Sequence, residues 1–321
     1  GRPDSGTLGS THPGMIEAFH HPGQAAAIGE HTMPMEKFQL VADRVAKLEG
    51  VRLLRPEPVH RDDLLRVHTD TYIQAIETGK PRPLAESQKF PWVPGLYESV
   101  RLTNGAVYAA AQSALAHGIG AAIASGFHHS CADHGEGFCT FNGLIVALEK
   151  LYRAGALRTA AVLDLDLHYG NGTAQLLQDR PWIRQLSIYG NDYWNNVRFR
   201  YVNDKKHPDG PNHLSVALPA KSDGPHLLEV LEQNLPWLVQ PAPPNLLLFQ
   251  AGADPLRDDP YSPLNLGATD LEARERHVFS FFRRQGVPVA WTLAGGYTRP
   301  VEKVVSVHVG TFRAALAIHG R

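Results

Sequence analysis

The feature that most constrains this chain is a repeated exchange between short, nearly all-apolar runs and helical patterns. The apolar runs fall at Ala121–Ala124, Ala160–Leu165, Gln185–Tyr189, Leu214–Leu218, Leu246–Gln250 and Val287–Leu293. Helical patterns separate several of them, at Asn142–Arg153, Pro225–Val239 and Thr269–Arg284, and a last one covers Val301–Ile318. A strand apolar on both faces must be covered on both faces, so the alternation predicts a mainly parallel sheet between two helical layers. Upstream, Ile16–Phe19 and Val51–Leu54 read as two further strands. Pro34 is placed to open a helix reaching Leu48, and Asp62, Asp63 and Asp70 to start short ones. A proline-rich segment over 79–96 reads as a long loop, followed by an alanine-rich helix over Tyr97–His117. No repeat or linker interrupts 15–321, which is read as one catalytic domain; residues 1–14, rich in Gly, Ser, Thr and Pro, are set aside as an appended leader before Met15.

In sheets of this kind ligands bind beyond the carboxyl ends of the strands. There the sequence concentrates chemistry. Asp164, Asp166 and His168 follow the run Thr159–Leu163, and along an extended strand residues two apart share a face. The glycines of Gly170-Asn171-Gly172 then allow a tight turn. Elsewhere, His128-His129 and Gly137-Phe138-Cys139 follow one strand, Gly252-Ala253-Asp254 another, and Gly295-Gly296-Tyr297 a third. Any one of these reads equally well as an ordinary turn or cap; four strands ending alike is the signal. Asp166, His168 and Asp254 offer two oxygens and a nitrogen, the open pattern of catalytic zinc. His128 and His129 supply general acid and base, and Tyr297 a hydrogen-bond donor to a developing oxyanion. The assembled chemistry is amide hydrolysis by a metal-activated water.

Composition bounds the alternatives. With 31 Lys+Arg against 32 Asp+Glu there is no whole-chain footprint for nucleic acid. No apolar run approaches the ~18 residues that a bilayer requires, so no membrane partner is expected. Two cysteines, Cys131 and Cys139, suit a reducing compartment, here the cytoplasm.

In the order and spacing of these motifs the chain resembles the zinc-dependent histone deacetylase superfamily, which includes bacterial acetylpolyamine amidohydrolases. The resemblance runs from Met15 to the C-terminus. It implies an arginase/deacetylase-like α/β/α fold with a sheet of about eight strands, one Zn2+ on Asp166, His168 and Asp254, and His128-His129 as the tandem catalytic pair. It also implies that Asp164 pairs with His128, that Asn171 hydrogen-bonds His129, and that Phe138 and the Gly137 carbonyl line an acyl-lysine tunnel. A structural K+ or Na+ would be held by Asp164, Asp166, His168, Ser187 and Ile188. An anionic partner favours an imidazolium at His128 and a neutral amide leaves His129 unprotonated, which assigns His129 as the general base. Tyr169, Asn171 and Ala294 depart from better-known members and, with the segment His31–Phe38, lean towards a class IV-like bacterial branch.

The expected activity is therefore removal of acetyl or longer acyl groups from N-acyl-lysine side chains of a protein or peptide. An arginase-type two-metal site is disfavoured because Leu256 stands where a second carboxylate would be needed. Acetylpolyamines or other small acylated amines are the alternative substrates, with Glu86, Glu98 and Asp192 as candidate anionic groups at the entrance. A non-catalytic acyl-lysine binder is the alternative of another class.

Overall fold

The computed structural model describes residues 14–190 and 206–320; residues 1–13 and Asp192 lie outside them. Eight strands form one sheet: β1 (Ile16–Phe19), β2 (Val51–Leu54), β3 (Ile119–Ser125), β4 (Ala160–Asp164), β5 (Ile183–Gly190), β6 (His213–Leu218), β7 (Leu246–Ala251) and β8 (Val289–Leu293). Their order across the sheet is β2-β1-β3-β8-β7-β4-β5-β6, and every strand pairing is parallel.

The pleat sorts the core into two layers. Ala161 and Leu163 of β4, with Leu247 and Phe249 of β7, pack into one apolar cluster together with helices Lys37–Val45, Ala268–Arg284 and Val301–His319. Their immediate neighbours, Ala160, Val162, Leu246 and Leu248, pack into the other, with helices Asp70–Thr78, Leu96–His117 and Gly143–Arg153. Residues one apart on a strand face opposite sides, so continuous apolar strands are what a doubly covered sheet requires. The three-layer α/β/α expectation holds.

Several elements differ from the sequence expectation for physical reasons. The first helix begins at Lys37, not Pro34; residues 34–36 form the turn before it, with the Lys37 N–H donating to the Pro34 carbonyl at 3.0 Å. The 79–96 segment holds a helical turn, Arg82–Ala85, and is pinned by Trp92 Nε1 donating to the Ile76 carbonyl at 2.7 Å. The pattern over Pro225–Val239 splits into an α-helix, Gly224–Asn234, and a 3-10 turn, Leu235–Val239, at Pro236, whose ring cannot continue an α-helical ladder. Helix Asn171–Leu176 was not anticipated, because six residues are too few to display a helical period.

One buried histidine locks the loop carrying the tandem histidines to the body of the fold. His68 lies between the Cys131 carbonyl, 2.9 Å from Nδ1, and the Asn142 N–H, 3.1 Å from Nε2. Nδ1 therefore carries the proton and Nε2 accepts. Asn142 in turn caps helix Gly143–Arg153 by accepting from the Ile145 N–H. Burial lowers the His68 pKa to about 4, and a proton on Nε2 would also displace the Asn142 N–H. A folded-state pKa below the unfolded value stabilises the fold fully above pH 6.5, and that stability is lost as pH falls towards 4. Chemical denaturation across that range is expected to show wild type losing on the order of 3 kcal/mol more than His68→Leu. Parallel pH profiles would assign the acid sensitivity elsewhere.

Candidate active site

The four strand ends singled out by their chemistry belong to β3, β8, β7 and β4, which are the four contiguous strands at the centre of the sheet. Their loops therefore meet at one rim, where a parallel sheet offers its ligand crevice. His128 and His129, Asp164, Asp166, His168 and Asn171, Asp254, and Tyr297 are all buried there.

Asp166 and His168 arrive by a route other than the pleat. β4 ends at Asp164, so the two residues stand in the loop beyond it rather than on the strand face. The Asp166 N–H donates to Asp164 Oδ1 at 3.1 Å, and the His168 N–H to Asp166 Oδ1 at 2.9 Å. Each aspartate thus satisfies the backbone two residues ahead, a turn habit of this residue, and the staircase delivers the next side chain to the rim. Asp254 accepts from the Leu167 N–H at 2.9 Å, and Asp166 Oδ2 from the Gly295 N–H at 2.8 Å. The loops after β4, β7 and β8 are therefore tied together through the carboxylates themselves.

His168 Nδ1 lies 3.2 Å from Asp166 Oδ1 and 3.0 Å from Asp254 Oδ2. Ligand atoms from Asp166, His168 and Asp254 all fall within 4.8 Å of one another. The three side chains could hold a cation. Burial alone would lower the pKa of His168, but the two carboxylates raise it to about 10, and burial with the charge of Asp166 pushes Asp254 up to about 6. Two oxygens and one nitrogen in this cluster fit zinc by donor type.

The tandem histidines are differentiated. His128 Nδ1 donates to Asp164 Oδ2 at 2.6 Å, and His129 Nδ1 meets Asn171 Oδ1 at 2.7 Å. Burial lowers both pKa values in principle. For His128 the charges of Asp164 and Asp166 outweigh it and the pKa rises; for His129, burial and the neighbouring charges of His128 and His168 drive it well down. Tyr297 is buried, which pushes its hydroxyl well above its usual range and keeps the proton on it. Its ring lies 6.4 Å from that of His168 and 6.1 Å from that of Phe138. Phe138 adopts φ 68°, held between Phe90, stacked at 5.7 Å, and His31, edge-on at 4.7 Å. The Gly137 carbonyl accepts from the Cys139 thiol at 3.5 Å. Ser187 stands opposite Asp164 in the β4/β5 register, and its hydroxyl receives the Gly170 N–H at 3.4 Å; Ile188 follows it, buried in β5.

Three residues escaped the sequence reading, and a fourth, Tyr169, stood there only as a departure from the family pattern. Tyr169 is fully buried, its hydroxyl 2.7 Å from His213 Nε2 and receiving the His207 N–H at 3.1 Å, so it fastens the site loop to β6. Lys37 is also fully buried and donates to the Ala294 carbonyl at 2.5 Å, behind the glycines that precede Tyr297. Asp259 accepts from the Tyr297 N–H at 2.8 Å. Glu136 accepts from Asn171 Nδ2 at 3.0 Å. Lys37, Asp259 and Glu136 do not directly follow a strand, and only their burial, which a sequence does not display, marks them out. Of the proposed entrance acids, Glu86 accepts from the Trp92 N–H at 2.8 Å and Glu98 pairs with Arg101 at 2.5 Å.

Residues 31–312 match the family model described as the histone deacetylase domain. An uncharacterized protein of Picosynechococcus is 30% identical over 308 residues, covering 94% of this chain and 98% of that one. Histone deacetylase 2 of Arabidopsis thaliana is 26% identical over 81% of this chain and 67% of its own length. Acetylpolyamine amidohydrolase 2 of Pseudomonas aeruginosa is 23% identical over 94% and 97%. Among solved structures, an acetylpolyamine aminohydrolase from Burkholderia pseudomallei superposes with a TM-score of 0.77 at 18% identity, covering 94% of this chain and 99% of that one.

Gly295 tests the cluster as a cation site. A Cβ there would lie 2.2 Å from Asp254 Oδ2 and 2.9 Å from Asp166 Oδ2. Gly295→Ala is expected to weaken metal binding at least about tenfold while circular dichroism stays native. Unchanged metal content by elemental analysis would separate these carboxylates from metal binding.

Proposed function

The chain belongs to the histone deacetylase domain family, and on that footing we propose that it is a zinc-dependent deacylase acting on N-acyl-lysine side chains. Membership supports a deacetylase-type amide hydrolase. The observation that carries the finer reading is the pairing of an aspartate-bound His128 and an amide-bound His129 beside the Asp166–His168–Asp254 cluster.

Asp166, His168 and Asp254 would hold the zinc. When bound, such an ion supplies Lewis acidity that polarises an amide carbonyl and brings a water's pKa towards ~7. His129, kept neutral by burial and neighbouring positive charge, takes the proton from the attacking water. His128, kept charged by Asp164 and Asp166, stabilises the developing negative charge and returns a proton to the leaving amine. Tyr297 keeps its proton and donates to the oxyanion. A monovalent cation among Asp164, Asp166, His168, Ser187 and Ile188 would brace this loop from behind; carbonyl and hydroxyl oxygens suit so hard an ion.

Three features favour acyl-lysine over a polyamine. Phe138, Phe90 and His31 make an aromatic wall suited to an aliphatic lysine stem. Phe138 also lines an apolar pocket with Ile28, Met33, Met35, Phe38, Phe90 and Phe127, which offers a cationic polyamine no charged partner. Glu86 and Glu98 already face arginines, Arg82 at 3.7 Å and Arg101 at 2.5 Å, which offset the negative charge a polycation would seek. No helix among the described residues is long and apolar enough to cross a membrane, and Cys131 and Cys139 are free thiols, which suits action in the cytoplasm.

Two measurements test this. His129→Ala is expected to lower kcat by about 10²-fold or more with zinc retained, and Tyr297→Phe by a similar factor; near-normal turnover in either would remove that residue from the chemistry. In a panel of acetyl-, butyryl- and myristoyl-lysine peptides with N-acetylputrescine, kcat/KM is expected to be highest on a peptide. Preference for the polyamine over every peptide would reverse the substrate assignment.

A further inference from the structure

The loop between the tandem histidines and Phe138 carries a second chain of contacts that the reaction above leaves unused. His134, partly exposed at the surface, places Nδ1 2.7 Å from Asp133 Oδ1 and Nε2 2.7 Å from Glu136 Oε1. Glu136 is buried, and its other oxygen receives Asn171 Nδ2 at 3.0 Å. The opposite end of the same amide, Oδ1, lies 2.7 Å from His129 Nδ1.

The donor and acceptor identities of this chain are forced. An imidazole with a carboxylate at each nitrogen must donate from both, so His134 is an imidazolium. Hydrogen bonds to Cys131 and Glu136 raise its pKa to about 11, in agreement. Beside that cation Glu136 is a carboxylate, which only accepts. Only the NH2 end of Asn171 can then face Glu136, so its carbonyl oxygen must face His129. His129 Nδ1 must donate to it, which leaves Nε2 as the nitrogen without a proton.

We propose that Glu136, braced by His134, is the positioning residue that selects the Nδ1–H tautomer of His129 by fixing which way the Asn171 amide points. Without Glu136 the amide is free to turn over and present its NH2 to Nδ1. The ring proton would then move to Nε2, and the histidine could no longer accept one there. The inference deepens the assignment of His129 as general base and rests on it, but its structural half can be read independently of turnover.

The test exchanges the polarity of the contact in the zinc-loaded enzyme. Glu136→Ala is expected to lower kcat about 10- to 100-fold with KM within about twofold. Asn171→Asp alone sets two carboxylates face to face and should lower kcat comparably. Combining Asn171→Asp with Glu136→Gln restores one donor and one acceptor, and kcat should return to within a few-fold of wild type. Nitrogen-15 NMR of the His129 ring should report the Nδ1–H tautomer in wild type and in the double variant, and a mixture in Glu136→Ala. A double variant no faster than Asn171→Asp, or an unaltered tautomer in Glu136→Ala, would overturn the proposal. A tautomer shift without loss of rate would uphold the clamp and remove His129 as the base.

Discussion

Burial of several carboxylates around one point is the constraint on which the rest of the structure depends. Asp164, Asp166 and Asp254 are each at most 2% exposed. Charges so far from water are tolerated only when hydrogen-bonded and paired. The surroundings answer this demand one group at a time: backbone N–H groups from Asp166, Leu167, His168 and Gly295, the imidazoles of His128 and His168, and the ammonium of Lys37 behind Ala294. The loops after β3, β4, β7 and β8 are shaped by what those carboxylates need. The same concentration of charge separates the two tandem histidines, since one lies against a carboxylate and the other against an amide.

How much of this was legible follows from where the information lies. Apolar runs and their alternation with helices carry the sheet, because burial on both faces leaves a mark on every strand residue. The site residues were legible because they follow strands directly, at the rim where this fold places ligands. A shared strand face only partly accounts for how Asp164, Asp166 and His168 come together at the rim. The strand stops at Asp164 and side-chain-to-backbone turns do the remainder. Lys37, Asp259 and Glu136 were not legible as participants, since each acts on a residue far along the chain: Ala294, Tyr297 and Asn171. Tyr169, opaque as a departure from a family pattern, is accounted for by His213 and the backbone of His207.

Backbone conformation is part of the same economy. Phe127 and Phe138 both adopt positive φ, at 57° and 68°, on either side of the tandem histidines. Such values are uncommon for bulky residues and persist where the surroundings over-determine them. Here His68 grips the Cys131 carbonyl, and Gly172 lets the helix after the site approach the His129–Ser130 backbone where a Cβ would lie 2.3 Å from the Ser130 oxygen. The loop is held from both sides, so the rings of His128 and His129 have little freedom to rotate.

The order of strands has a consequence in time as well as space. β3 and β4 are consecutive along the chain, yet β8 and β7, formed from residues 246–293, lie between them. During synthesis the two halves of the sheet therefore exist for a period with their central edges unpaired, and open edges invite pairing with other chains. Only the late strands join the halves, and they also bring Asp254 and Tyr297. The sheet and the candidate site are thus completed in one event, at high sequence separation and correspondingly slowly. A growing chain can hold neither a finished core nor a finished site until that event has taken place.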